Sequence, residues 1–247
     1  MLVLKRLLLV LTLGLSLPVL ADCPPVAKLV TFEGQVSIRP AGRVLKTSPG
    51  ALPRALCAGD EVHTFAGRAL IDDGRTAVAV DQFSVAAFIA AGKSALNQGQ
   101  ALFSVSKRKE EAGVEVKTRL SVIGVKGTRF LVSDKNDELT VVLDQGQVGI
   151  TSTQGPVGLY RENAPAKPAD EDFETYARHK TEAIAAGQAA FEQYKTQVQR
   201  EFVAYVENLT LEAGKELVTV GRVAVERDIS NESADSIKAL SAWLGAR

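Results

Sequence analysis

The chain has 247 residues, with 29 basic and 29 acidic side chains, a formal net charge of zero and 46% hydrophobic residues. Balanced charge excludes a general nucleic-acid binder, which needs a basic surplus to neutralise phosphates. Two cysteines without a nearby second Cys or His exclude a cysteine-based zinc site.

The first 21 residues are expected to form a cleavable export signal. Lys5 and Arg6 precede the apolar run Leu7 to Leu17, Pro18 breaks it, and Val19-Leu20-Ala21 is a small-residue cleavage site. The run is short of the ~20 residues a membrane span needs. Asp22 stands before Cys23, where lipidation requires a small residue. Periplasmic export follows as the expectation, with no membrane span after cleavage. In an oxidising compartment Cys23 and Cys57 are expected to form one disulfide; two buried free thiols are the alternative.

From Ala27 to Thr151 short alternating runs are separated by turn chemistry. Val36 and Ile38 alternate with Gln35, Ser37 and Arg39, and Thr76, Val78 and Val80 alternate with alanines. Ala101-Phe103-Val105, Val114-Val116-Thr118, Leu139-Val141-Leu143 and Val148-Ile150 follow the same period, with turns such as Gly59-Asp60, Asp73-Gly74, Asn97-Gln98-Gly99, Asp134 to Asp137 and Asp144-Gln145-Gly146 between such runs. This spacing predicts an antiparallel sandwich or barrel over 22–152. Within it, Val122-Ile123-Gly124-Val125-Lys126-Gly127-Thr128-Arg129-Phe130 has two glycines three apart, expected to turn or bulge the chain between two strands.

Prolines 156, 165 and 168 mark a linker over 153–169, and residues 170–247 are expected to be helical. Asp170-Glu171-Asp172 provides an acidic first turn. Phe173, Tyr176, Lys180, Ile184, Gly187, Phe191, Tyr194, Val198, Phe202, Tyr205 and Leu209 then recur at a mean step of 3.6, predicting an amphipathic helix over about 170–209, roughly 55 Å long. Residues 211–225 read either as a second helix or, at Val218-Thr219-Val220 and Val223-Ala224-Val225, as strand. Ser230 or Asn231 can cap a last helix carrying Ile237, Leu240, Trp243 and Leu244.

Catalytic patterns are missing. No Gly-x-Ser-x-Gly, phosphate-loop or His-Glu-x-x-His sequence occurs, and Gly124 to Thr128 lacks phosphate-loop spacing. His63 and His179 fall in different predicted domains. Asp60, Glu61, Asp72, Asp73 and Asp81 are candidate carboxylates, each with a turn or strand-end explanation. Lys117, Arg119, Lys126 and Arg129 lie on polar strand faces, as a partner-binding strip or a solvated surface. The expectation is a non-enzymatic protein with no cofactor, metal or catalytic residue.

Six pieces of this pattern occur in an order that resembles the FecR domain, a periplasmic β module. They are Phe32 to Ile38, Leu56-Cys57-Ala58-Gly59-Asp60-Glu61-Val62-His63-Thr64, Ala69 to Thr76, Gly99 to Val105, the Gly124-Val125-Lys126-Gly127-Thr128-x-Phe130 signature, and Val142 to Val148. The resemblance covers about 30–150. It implies a jelly-roll-like antiparallel sandwich without intrinsic catalysis, in which the signature residues are structural. Regulators of the namesake group add a cytoplasmic sigma-factor-binding segment and a membrane span. Here an export signal takes their place, so control of a sigma factor is not expected.

The fold expected is therefore mainly β plus α: a jelly-roll-like sandwich followed by a helical region. The function expected is a periplasmic binding or scaffold protein of a sensing or assembly system. A protein partner, or self-association through the C-terminal helices, is expected. A carbohydrate- or cell-wall-binding module is the alternative, to be favoured by an exposed aromatic pair on a sheet face.

Overall fold

The computed structural model describes residues 23–106, 113–162 and 201–245. The expected export signal, the charged run Lys107 to Glu111, positions 163–169 of the expected linker and the expected helix up to residue 200 lie outside the described residues; the earlier part of the expected linker is instead folded, with Val157–Arg161 a strand.

Three strands are long enough to serve two layers: β1 (Pro25–Arg39), β3 (Asp60–Asp72) and β6 (Lys93–Val105). The shorter ones are β2 (Arg54–Cys57), β4 (Thr76–Val80), β5 (Val85–Ala90), β7 (Val114–Lys117), β8 (Ser121–Val125), β9 (Arg129–Lys135), β10 (Glu138–Gln145), β11 (Gln147–Ser152) and β12 (Val157–Arg161). Four more, β13 (Glu201–Val206), β14 (Asn208–Glu212), β15 (Lys215–Val220) and β16 (Val223–Asp228), precede the helix α1 (Asn231–Gly245).

One layer runs in the order β13-β12-β16-β15-β10-β9-β6-β4-β3-β1-β2. The second runs β14-β11-β8-β7 and rejoins β6, with β5 bridging β6 to β3. The long strands change layer at bends. In β1 and β3 the register breaks between Gly34 and Val36. There Gly34 has φ +68, and a Cβ on it would lie 2.2 Å from the Ala66 carbonyl oxygen; one on Gly67 would lie 2.3 Å from the Glu33 carbonyl oxygen. Only two glycines let these backbones cross so closely.

Period-two alternation explains the core. Phe103, Phe130, Val132, Val141 and Leu143 point between the layers with Val116, Ile123, Val148 and Ile150. The Phe103 and Phe130 rings stack with centroids 5.1 Å apart. The alternate residues Ala79, Leu102, Leu131 and Val142 point outward and are covered by Ile237 and Leu240 of α1, with Trp243 and Leu244 alongside. Strands β4, β6, β9 and β10 are thus apolar on both faces.

The C-terminal region corrects the expected fold class. The described chain is mostly β with a single short helix, and residues 201–206 and 208–209, expected to end a long helix, are strand. Leu209 and Leu211 face Ile150 and Val148 across β11 and β14, while Asn208, Thr210 and Glu212 alternate outward. The 3.6-residue fit through Phe202, Tyr205 and Leu209 competes with this period of two. Open edges on β11 and β12 supply the backbone partners that an isolated helix would provide internally. Residues 211–225 take the strand alternative: β15 and β16 form a hairpin, and β15 pairs with β10 from Glu138↔Val220 to Leu143↔Lys215. Leu211, Leu217 and Ala224 join the same buried cluster as Phe130.

The last helix forms as the capping residues predict. Ser230 Oγ accepts from the Ser233 backbone N–H (3.3 Å) and donates to Glu216 (3.2 Å). The Glu216 side chain is wholly buried and is also met by Arg227 at 2.6 Å. Burial alone raises its pKa, but hydrogen bonds from Ser233, Arg227 and the Ser230 backbone outweigh it and hold the carboxyl below its usual range.

Candidate functional site

At one end of the sandwich four connections meet. They are the β4–β5 turn (81–84), the bend in β6 (97–99), the β7–β8 turn at Arg119 and the β9–β10 hairpin tip (135–137). Between them lies a cleft of about 620 Å³, whose walls include Phe83, Asn97, Gln98, Arg119, Asp134 and Asn136.

Its backbone is set by buried hydroxyls. Thr64 Oγ1 donates to the Asp81 carbonyl (2.5 Å) and accepts from the Ser84 N–H (2.9 Å). Ser84 Oγ accepts from the Gln100 N–H (2.9 Å), and Phe83 N–H donates to the Phe65 carbonyl (2.9 Å). These bonds hold Phe83 at φ +55 with the residue 61% exposed. A bulky residue in the left-handed region costs about 1–2 kcal/mol. Here the surrounding bonds enforce it without burying the ring. Asn136 and Asp137 also have positive φ, 51° and 61°. They form the two-residue tip between paired Lys135 and Glu138, where a hairpin turn requires that conformation.

A charge cluster forms one wall. Arg119 donates from Nε (3.0 Å) and Nη2 (2.5 Å) to Asp134 Oδ1, and from Nη1 to Asp137 (2.9 Å). Its backbone N–H reaches Asp134 Oδ2 at 3.3 Å. Asp134 is fully buried, so both its oxygens depend on these donors. The hydrogen bond to Asp134 and then that to Asp137 raise the Arg119 pKa further, fixing it as a cation. Asp81, which also lines the cleft, pairs with Arg68 at 2.9 Å. Among the described residues, the side-chain amides of Gln82, Asn97, Gln98 and Asn136 make no hydrogen bond.

The four cations of the expected strip do not form one free surface. Lys117 lies 3.6 Å from Glu115, Arg119 is held by Asp134 and Asp137, and Arg129 is paired with Asp144. Lys126 is exposed beside a separate shallow trough floored by Gly124 and Gly149. The signature is structural in unequal ways. Gly127 has φ +65, Val125 and Thr128 are buried, and Phe130 is in the core. Gly124 has no positive φ; it pairs with Gly149 inside a strand, and an added Cβ would be 4.0 Å from the nearest atom. The expectation that both glycines bend the chain holds for Gly127 alone.

Cys23 and Cys57 are joined, Cα to Cα 5.8 Å, tying the residues before β1 to β2. Candidate carboxylates are occupied locally. Asp60 accepts from the Ala41 and Cys57 backbone N–H groups, each at 2.9 Å, and Asp73 from Arg75, Thr76 and Gly92. Asp72 accepts from Gly74 N–H. Glu61 is paired with Arg39 and His63, and Arg39 foremost holds its carboxyl below the usual range. Burial lowers the His63 pKa despite Glu61. His179 lies outside the described residues. Among those described, no three His, Cys, Asp or Glu side chains are grouped to hold a metal.

The residues that build the cleft were legible only as turns. Asn97-Gln98-Gly99 and Asp134 to Asp137 read as connections, and nothing local says that they meet. Phe83 carried no signal, because its conformation is imposed by Thr64 and Ser84.

Two layers of mostly antiparallel strands, joined by long strands that cross between them and carrying a loop-built end cleft, define a mostly β protein. Residues 64–149 match the family model described as FecR protein, and the chain carries a FecR domain there. Strands β1 and β2, which resemble the family by sequence, lie before the matched segment. No curated protein matches the chain. Two crystal structures of a candidate anti-sigma factor from Parabacteroides distasonis ATCC 8503 are similar at 12% and 13% identity, each with a TM-score of 0.37. The likeness covers 65% and 69% of this chain but only 55% and 57% of those chains. At that distance no role is carried over from them.

Proposed function

We propose that this protein is a non-enzymatic, periplasmic binding or scaffold protein of the cell envelope, acting in a sensing or assembly system. The FecR domain over 64–149 is the observation that carries this reading. Support comes from the site chemistry: the candidate carboxylates are taken up by turns and ion pairs, whereas the end cleft keeps unpaired amides and an exposed ring. Among the described residues no helix is long and apolar enough to cross a membrane. Self-association through exposed C-terminal helices has no support there, because α1 turns its apolar face onto the sheet. Binding is assigned to the loop end instead.

The test is fractionation of cells expressing the chain with its own N-terminus, combined with a photo-crosslinking side chain placed at Asn136 or, as a control, at Lys126. Release with the periplasmic fraction and adducts specific to position 136 are expected. Retention in the cytoplasm, or equal adducts at both positions, would overturn the reading.

A further inference from the structure

We propose that the end cleft binds a neutral polyhydroxylated ligand, a short stretch of glycan, with the Phe83 ring as the platform on which one sugar ring stacks. This rests on the envelope-binding reading and names the ligand class of the same site. It begins from Phe83. At φ +55 glycine or asparagine would fit without strain, yet a bulky aromatic stands there, and the residue is 61% exposed. The ring therefore returns little packing to the fold while its backbone is held off its preferred conformation. What it offers is an apolar face at the lip of the cleft. Aromatic faces suit the C–H surface of a sugar ring, whose hydroxyls point sideways.

The remaining walls match those hydroxyls. Gln82, Asn97, Gln98 and Asn136 each present both donors and acceptors and make no hydrogen bond among the described residues. A hydroxyl likewise donates and accepts, so amides serve it better than a uniform row of either kind. Asp137 is 90% exposed beyond its contact with Arg119 and retains acceptor capacity. Charge selects against ionic ligands. Arg68, Arg119 and Lys135 stand against Asp81, Asp134 and Asp137, and Arg68 and Arg119 are already paired with those carboxylates. Among the described residues no cationic surplus is left for phosphate and no anionic surplus for a polyamine. A volume of about 620 Å³ accommodates a short oligosaccharide. Among the described residues Phe83 is the one large apolar side chain of the cleft, which therefore offers no ready pockets for apolar peptide anchors.

The experiment titrates the full chain, with its disulfide intact, with four neutral tetrasaccharides: β-1,4-glucan, β-1,4-linked N-acetylglucosamine, α-1,4-glucan and α-1,6-mannan. Amide chemical shifts and calorimetry are the readouts. At least one should bind in the millimolar range or tighter, shifting resonances of residues 82–84, 97–99 and 135–137. Phe83→Gly should weaken that binding at least tenfold while Tm stays equal or rises, because glycine relieves the strain. Phe83→Trp should keep or improve binding, and Gln98→Ala should weaken it severalfold. Failure of all four to bind, or equal binding by Phe83→Gly, would overturn the glycan assignment. If position-136 adducts are found to be protein and are lost in Phe83→Gly while no sugar binds, the glycan class falls and the binding reading stands. If the adducts are also missing, both fall.

Discussion

Two parts of the sandwich handle their outer faces in opposite ways. Strands β4, β6, β9 and β10 are covered twice, by the opposing layer within and by α1 outside, so Leu102, Leu131 and Val142 are as buried as Phe103, Phe130 and Val141. Among the described residues, strands β8 and β11 are covered once. Their outward positions carry Val122, Gly124, Gln147, Gly149 and Thr151 beside a shallow trough. The difference teaches that the C-terminal segment is an integral cover. It lends β15 to the edge of β10 and α1 to a face that would otherwise present leucines to water.

Cutting the chain after Ser152 should break this arrangement most severely. It removes β15, the helix and the core residues Leu211 and Leu217 together. Loss of a cooperative thermal transition and of near-ultraviolet circular dichroism is expected. A truncated chain that melts like the whole would show that the doubly covered strands need no cover.

Single substitutions then grade the two parts. Phe130→Ala should cost about 3–5 kcal/mol and Leu131→Ala about 2–5 kcal/mol, since one faces the inner core and the other lies sealed under α1. Val122→Thr, outward on the bare sheet, should stay within about 0.5 kcal/mol. Denaturant unfolding of the three reads the contrast directly. A near-neutral Leu131→Ala would mean that α1 does not seal its face.

Acid should loosen the helix end selectively. The folded state holds the Glu216 carboxyl below its unfolded pKa, so its stabilisation is full above that value and is lost as pH falls through the folded one. Glu216→Gln should cost about 1.5–3 kcal/mol at neutral pH. It should also flatten the decline in stability that wild type shows as pH drops below about 4.3. Melting curves between pH 7 and pH 3 decide this, and parallel declines in the two proteins would assign the acid sensitivity elsewhere.

The smallest effect separates the two signature glycines. Gly127→Ala should cost more than the ~1 kcal/mol of a compatible change, because its φ is +65 and it is buried. Gly124→Ala should lie within about 0.5 kcal/mol, since a methyl there meets nothing closer than 4.0 Å. Equal penalties would return Gly124 to a bending role.

Sequence by itself determined the strands, because a side-chain period of two is local and repeats through Phe130-x-Val132, Leu139-x-Val141-x-Leu143 and Val148-x-Ile150. It also determined the turns, the last helix with its Ser230 cap, and the FecR signature. Tertiary structure decided what happened where two periods coexist. From Phe202 to Leu209 a helical and a strand repeat both fit, and backbone partners on β11 and β12, far away in sequence, selected the strand. The cleft belongs to the same category. Phe83, Gln98, Arg119 and Asn136 come from four connections whose local sequences say only that the chain turns, and long-range pairing alone brings those turns to one end.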